Sequence, residues 1–190
     1  MTVISVHAPT EERDEVEKES FYDILEEVWT RVSYHDLLLV MGDFNAKIGK
    51  MEDQKQVARH YTLHERCNDN GNMTAQFAAR NKLYIRSTSF PHKKIHLGTW
   101  KIPGSEEVNQ IDHVLVSARH RSSMMDVRSC RGPNCNSDNF FVKVKVRERI
   151  ANAMKTSMPK TREGENENFN KNKEAREHYQ AGLARKLKKD

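Results

Sequence analysis

The chain has 190 residues, 36% hydrophobic and 31% charged, so it can bury one sizeable core that does not extend over its whole length. Its net charge of +5 comes from the C-terminal part: residues 143–190 hold 14 Lys or Arg and 7 Asp or Glu, against 18 and 20 in the remainder. The absence of an 18-residue apolar run and of a signal peptide argues against a membrane span and secretion, and predicts an intracellular location, the nucleus included.

The first predicted elements are a strand, a helix and a second strand. Residues 2–9, "TVISVHAP", have strand composition and end at Pro9. Thr10 is the expected N-cap of the helix, with Glu11 and Glu12 in its first turn. Apolar residues then recur at helical spacing, at Phe21, Ile24, Leu25, Val28 and Val32. The apolar run "LLLVMG" follows, so the pattern predicts a crossover between parallel strands.

Asp43 and Asn45 come directly after this second strand, in "GDFNAKIG". Asp, Asn and Gly are common in turns, so a plain turn explains them when they are taken alone. Open α/β sheets, however, bind ligands at the carboxyl ends of their parallel strands. The pair is therefore either a structural turn or part of a binding site.

The downstream pattern changes to a helix followed by closely spaced strands. Residues 68–83, "NDNGNMTAQFAARNKL", predict a turn and a second helix, and four strands are expected after it, in "LYIRSTSF", "LGTWKI", "NQIDHVLVS" and "FFVKVKVRERI". These strands leave no room for crossover helices, so they should be largely antiparallel. The domain is expected to span residues 1–150, with a basic, charged linker or tail, partly helical or disordered, over residues 151–190.

Polar residues recur at the ends of several of these strands. Asn109 and Asp112 lie on one strand, and Asn136 to Asn139, "NSDN", immediately precede another. With Asp43 and Asn45 they would supply the carboxylates and amides that a magnesium ion and a phosphate ester need. Any one of them alone is equally well explained by a strand-end hydrogen bond.

At these residues the chain resembles a known family. "GDFNAKIG", "NQIDHVLVS" and "NSDNFF" resemble, in order, the motifs "GDFNA", "NQIDYIL" and "SDH" of the endonuclease/exonuclease/phosphatase superfamily. The resemblance is strongest to the apurinic/apyrimidinic-type endonuclease domain of LINE-like, non-LTR retrotransposons, a group that includes host proteins labelled craniofacial development protein 2-like. It covers residues 3–150 and implies an α/β fold, the C-terminal half of a four-layered sandwich with a mixed sheet and flanking helices.

The resemblance implies a role for each matched residue. Asp43 would orient or deprotonate the attacking water, Asn45 would hold the scissile phosphate, and Asp138 would be the metal-side acid. Asp112 would orient the histidine that contacts the phosphate, and His7 would lie near that phosphate. The DNA-facing surface would be lined by Asn109 and Trp100, although the residue type of Trp100 taken alone favours core packing over base contact.

Two departures from the family pattern predict a weak or inactive enzyme. Asn139 occupies the position of the "SDH" histidine, and a carboxamide cannot supply the charge or the proton of an imidazole. The family also has a first half before "VISVHAPT", which supplies one sheet, an early Asn and the main metal-binding Glu. The chain is therefore expected to be an N-terminally truncated remnant of a DNA endonuclease, with incomplete binding of Mg²⁺ or Mn²⁺. Its expected partners are DNA, the missing half and a downstream reverse transcriptase.

The sequence also allows three alternative interpretations. A non-catalytic nucleic-acid-binding or host-domesticated protein would use the basic tail to contact phosphates. A zinc module built on Cys67, Cys130 and Cys135 is disfavoured because no CxxC pair exists. A phosphatase for small substrates would share the core motifs, but the retrotransposon-like stretches argue against it.

Overall fold

A computed structural model of the protein describes residues 1–50, 56–131 and 137–148, together with Glu177. The chain divides into two units, Met1–Arg149 and Ile150–Asp190, and the fold described below is that of the first. The predicted tail over residues 151–190 lies outside the described residues except for Glu177. The proposed domain boundary and the character of the tail therefore stay predictions.

A four-stranded mixed sheet forms the centre of the first unit, with strand order β1–β2–β6–β3. β1 (Thr2–His7) pairs in parallel with β2 (Leu38–Asp43), which confirms the predicted crossover. β6 (Asp112–Ser117) runs antiparallel to β2 and to β3 (Leu83–Ile85), as expected for strands without crossover helices. The register places Asp43 opposite Asp112, and it places His7 opposite Asp43.

Two helices pack on one face of this sheet, α1 (Glu15–Thr30) and α2 (Asp69–Arg80). The main core lies between them and the sheet, and includes Tyr22, Leu25, Val40, Phe77 and Leu115. The alternate side chains of β2 and β6 point to the opposite face, because successive strand residues face opposite sides of a sheet.

A second core on that opposite face is covered by a two-stranded antiparallel sheet, β7 (Met124–Cys130) and β8 (Phe141–Val146). It includes Leu39, Val114 and Val127. The described residues therefore form helix, mixed-sheet and second-sheet layers, which agrees with the predicted fold class. Among them, no helix is long and apolar enough to cross a membrane.

The start of α1 corrects one expectation. Its N-cap is Asp14, whose carboxylate accepts the backbone N–H of Glu17 at 2.7 Å, so Thr10, Glu11 and Glu12 precede the helix. Asp14 and Glu17 have the spacing of a capping box, which the sequence already contains. The predicted apolar face is also only partly buried: Leu25 is 4% exposed and Ile24 is 60% exposed.

Three further elements differ from the expected strands. The predicted strand "LYIRSTSF" ends at Ile85, and a 3₁₀ turn follows at Arg86–Thr88, where the Thr88 hydroxyl donates to the Ile85 carbonyl at 2.8 Å. "LGTWKI" contributes only β4 (Trp100–Lys101), which pairs with the short β5 (Val108–Asn109). β7 was not predicted, because "MMDVRSC" alternates too weakly to be distinguished from a loop.

Candidate active site

The turn after β2 fixes the positions of Asp43 and Asn45. The Asp43 Oδ1 atom accepts the backbone N–H of Asn45 at 2.8 Å, and Asn45 adopts φ 47°, a left-handed conformation that asparagine tolerates better than most residues. Phe44 between them is fully buried, so the two polar side chains are held on the other side of the turn. The backbone at Asp43 and Asn45 therefore does form a turn, as the plain-turn interpretation predicted.

Gly42 makes this turn compatible with the neighbouring strand. It has φ +145°, and a Cβ atom added here would lie 2.1 Å from the carbonyl oxygen of Val6 on β1. Only glycine avoids that collision, because it has no side chain. The close approach brings the end of β1, with His7 and Ala8, beside the turn.

The side chain of Asn45 is anchored on the chain that leaves β1. Its Nδ2 donates to the carbonyl oxygen of Ala8 at 2.8 Å. The backbone carbonyl oxygen of Asn45 accepts hydrogen bonds from the side chains of Asn68 and Asn70 at 3.1 and 3.2 Å. An amide nitrogen carries two hydrogens, so one remains for a ligand. Asn45 is therefore held before any ligand arrives.

Trp100, Asn109 and Asn139 come together through backbone pairing. Trp100 pairs with Asn109 within the β4–β5 ladder and forms an isolated antiparallel bridge with Asn139. The bridge is extended by a hydrogen bond from the Lys101 N–H to the Asp138 carbonyl at 2.8 Å. This pairing brings three of the predicted residues from distant parts of the sequence to one place.

A cleft of about 470 Å³ lies at this end of the sheet. Six residues that the sequence analysis selected line it: His7, Asp43, Asn45, Trp100, Asn109 and Asn139. His7 is exposed, and its Nδ1 lies 3.6 Å from the Asp43 Oδ2 atom. The cleft therefore presents a carboxylate, an imidazole and several amides to solvent.

Of the two other predicted acids, Asp112 lies opposite Asp43 in the β2–β6 ladder, and neither it nor Asp138 lines the cleft. Asp112 lines a neighbouring cavity of about 310 Å³, which Asn139 also borders. Asp138 is exposed and lines neither cavity, and its backbone carbonyl accepts the Lys101 N–H. The predicted roles of these residues in catalysis stay predictions.

The carboxylate of Asp112 is partly buried and incompletely bonded. Burial raises the pKa of Asp112, and the nearby charge of Asp43 adds to this, while a hydrogen bond with the Thr99 hydroxyl and the charge of His7 oppose it. The Asp112 Oδ2 atom is buried without a hydrogen-bond partner among the described residues. Buried polar atoms are normally paired, so this oxygen is able to accept one further hydrogen bond.

Glu11 is a cleft residue that the sequence analysis misplaced. It was expected in the first turn of α1, but its carboxylate accepts the backbone N–H groups of Asp69 and Asn70 at 2.9 and 3.2 Å, at the start of α2. It also accepts the Asn68 side chain at 2.6 Å. A carboxylate is stabilised there by the positive end of the helix dipole. The "NDNG" stretch marks this helix start, although nothing in the sequence identifies Glu11 as its partner.

His113 is a second residue whose position the sequence did not reveal. It is 1% exposed; its Nε2 lies 2.7 Å from the Ala46 carbonyl oxygen, and its Nδ1 lies 2.8 Å from the Ser87 hydroxyl. Burial lowers the pKa of His113 to about 4, so the ring is neutral at pH 7. The neutral ring donates from Nε2 to the Ala46 carbonyl oxygen and so holds the backbone next to Asn45 in place.

The described residues do not complete a metal site. No group of three or more His, Cys, Asp or Glu side chains among them is placed to hold an ion. At the cleft, Glu11 is occupied by α2, whereas the Asp43 Oδ2 atom accepts no hydrogen bond from the residues that the structure describes. Magnesium commonly binds one or two carboxylates and keeps several waters, so Asp43 could supply one ligand of such a site.

Comparison with known proteins places this arrangement in context. No family model matches the chain. It is 32% identical over 159 residues to craniofacial development protein 2 of Bos taurus and 31% identical to that of Tragulus javanicus. The matches cover 84% of this chain but 26% and 27% of those proteins, so the chain spans about a quarter of their length.

Solved structures show the same fold. A Neisseria 3′ phosphatase, NExo, bound to a product DNA hairpin is 22% identical, with a TM-score of 0.55 over 77% of this chain and 61% of that one. An AP endonuclease from Archaeoglobus fulgidus is 12% identical, with a TM-score of 0.51 over 77% of this chain and 61% of that one. The endonuclease domain of TRAS1, a telomere-specific non-LTR retrotransposon, is 12% identical, with a TM-score of 0.50 over 77% and 56%. These likenesses confirm the fold that the motifs predicted.

Proposed function

We propose that this chain, which has the endonuclease/exonuclease/phosphatase fold and resembles craniofacial development protein 2, carries part of a magnesium-dependent site for hydrolysis of DNA phosphodiesters. The observation that supports it best is the preformed turn in which Asp43 and Asn45 are fixed beside His7 at the carboxyl ends of two parallel strands. A descent from a non-LTR retrotransposon endonuclease is part of the proposal, supported by the fold shared with TRAS1. A DNA substrate implies an intracellular, including nuclear, location.

The geometry assigns separate tasks to the two residues of the turn. Asp43 uses Oδ1 to close the turn and keeps Oδ2 for a water molecule, which it can orient or deprotonate. Asn45 uses one amide hydrogen to bind Ala8 and keeps the other for a phosphate oxygen. Because both groups are already ordered, little reorganisation would accompany substrate binding. A bound Mg²⁺ or Mn²⁺ would neutralise charge on the phosphate.

We further propose that the described residues are insufficient for efficient catalysis. Asn139 borders the cavity into which Asp112 also opens, and the Asp112 Oδ2 atom lacks a donor there. A histidine at position 139 would supply a donor and an ionisable group, whereas the amide supplies neither a positive charge nor a transferable proton. Loss of one positioned acid or base lowers a rate by about 10²- to 10⁴-fold.

Plasmid nicking tests this proposal. We expect negligible nicking by the chain itself and little recovery with Asn139→His, because catalytic groups that act together are not additive. Fusing the N-terminal half of a related endonuclease to the Asn139→His chain should produce nicking that needs magnesium and is lost with chelator. Asp43→Ala should abolish it, while Asp23→Ala, an exposed acid of α1, should leave it unchanged.

Two outcomes would contradict the proposal. If the fused Asn139→His protein binds DNA but does not nick it, the non-catalytic nucleic-acid-binding function is favoured, consistent with the incomplete donor set. If the chain alone nicks DNA robustly and loses this activity with Asp43→Ala, the described residues are sufficient and the effect of Asn139 has been overestimated.

A further inference from the structure

Arg86 has an unusual environment in the 3₁₀ turn that directly follows the edge strand β3. Its guanidinium carbon lies 4.7 Å from the centre of the Phe90 ring, and its Nη2 donates to the Met124 carbonyl at 3.3 Å. Its Nε atom is buried and has no hydrogen-bond partner among the described residues. A half-buried guanidinium is thus held in place while part of its donor capacity is unused.

Two other arginines are brought to the same edge. Arg121 donates from Nη1 to the Tyr84 hydroxyl at 3.2 Å, and its guanidinium lies over the Tyr84 ring, 5.4 Å from the centre. Arg59 is tied by its backbone N–H to the Thr88 hydroxyl at 2.8 Å, within the turn that contains Arg86. We call Arg59, Arg86 and Arg121 the arginine cluster, and none of the three lines the cleft.

The arginine cluster has no ion-pair partner among the described residues. Within the described part of the chain, none of its members forms an ion pair, whereas Arg13 and Arg31 on the helix side pair with Glu17 and Glu27. Burial lowers the pKa of Arg86 below its usual range, and the charges of Arg121 and Arg59 lower it further. Arginine nevertheless stays protonated, so the three positive charges repel each other unless an anion binds.

We propose that the arginine cluster binds phosphate groups of a DNA backbone, at a contact site separate from the cleft. Guanidinium groups recognise phosphate through paired N–H donors, and aromatic stacking on Tyr84 and Phe90 already fixes two of them in position. β3 is two strands away from β2 in the same sheet, about 10 Å at the usual strand spacing. The choice of DNA over an acidic peptide rests on the proposed function.

The test compares two double variants of the full chain that remove the same charge. Arg59→Gln/Arg121→Gln removes the two exposed members of the arginine cluster, and Arg13→Gln/Arg31→Gln removes two exposed, ion-paired arginines. Binding of a fluorescent 20-base-pair duplex is measured by anisotropy from 50 to 200 mM salt. Loss of two phosphate contacts should lower the salt slope by about 1.8, so that the affinity gained between 200 and 50 mM salt shrinks by roughly tenfold.

The control pair should keep the slope of the parent chain. Equal losses in both pairs would overturn the proposal, because net charge alone would then explain binding. Stronger binding of poly-glutamate than of DNA, lost only in Arg59→Gln/Arg121→Gln, would also overturn it in favour of an acidic protein partner. Asp43→Ala leaves the arginine cluster intact, so it should not change the affinity for DNA. If that affinity is unchanged while nicking by the cleft fails, the arginine cluster still binds DNA and only the proposed catalytic function is wrong.

Discussion

At the scale of single residues, the conformation of one turn determines what the cleft can present. Gly42 allows β2 to approach Val6, and Asp43 closes the turn onto Asn45. The same carboxylate therefore has a structural and a proposed chemical task, one for each oxygen. The stretch "GDFN" can therefore form a turn and also contribute to the proposed site.

His113 leads to a prediction about pH and stability. Its pKa is about 4 in the folded protein and 6.5 when unperturbed, so the unfolded chain takes up the proton first. The stability that the neutral ring contributes is complete above pH 6.5 and is lost as the pH falls towards 4, up to about 3 kcal/mol. Urea unfolding at pH 7.5, 5.5 and 4.5 should show this loss in the parent chain.

The matched variants are His113→Gln and His35→Gln, the second at an exposed position. We expect His113→Gln to be less stable at pH 7.5 and to have a weaker pH dependence between 6.5 and 4 than the parent. His35→Gln should follow the parent. If His113→Gln and the parent lose stability in parallel over this range, His113 does not carry the effect.

At the scale of elements, the cleft is assembled by contacts between the ends of helices and strands. Glu11, in the connection between β1 and α1, caps α2, while the Asn68 side-chain oxygen accepts the N–H groups of Gly71 and Lys47, both at 2.8 Å. These bonds join three segments that are far apart in sequence. The cleft wall at the start of α2 therefore depends on a capping residue, Glu11, that lies outside α2.

Removal of this cap is expected to loosen α2 and the cleft. Glu11→Ala should lower the free energy of unfolding by about 1 kcal/mol, because two backbone N–H groups at the helix start lose their acceptor. Urea unfolding measures the loss, and amide exchange should speed up at Asp69 and Asn70. Glu12→Ala, the neighbouring exposed acid, is the control and should change neither. Equal effects of the two variants would show that charge, not capping, is responsible.

At the scale of the whole molecule, charge and core are separated along the sequence. Residues 143–190 hold 14 basic and 7 acidic residues, whereas the cores described above lie within residues 1–149. We therefore keep the prediction that the C-terminal tail contributes to binding and not to folding.

Deleting residues 151–190 tests it. The melting temperature of the remaining unit should stay nearly unchanged, while affinity for a DNA duplex should fall at 50 mM salt and converge with that of the full chain near 500 mM. Circular dichroism and anisotropy provide the two measurements. Unfolding of the shortened chain would show that the tail packs against the domain and that the predicted boundary is wrong.

The sequence by itself determined the elements whose residues carry a local pattern. The apolar run of β2, the turn residues after it and the turn-and-helix stretch of α2 are local properties, and the ordered motifs led to the correct fold. The same local logic failed at the start of α1, where Asp14 was a better cap than Thr10. It also missed β7, which is recognisable mainly through its partner β8.

Only the tertiary structure decided which polar residues meet. Asp43 and Asp112 are opposite each other in a ladder yet open into different cavities, and Glu11 binds a helix that begins 58 residues later. Arg59, Arg86 and Arg121 carry no common motif, and they come together because β3 and its neighbouring turns bring them to one edge. Such contacts depend on register and on the paths of loops between elements. The spacing of residues along the chain determines neither the register nor the loop paths. A loop can bring its ends together at nearly the same entropic cost over a range of lengths.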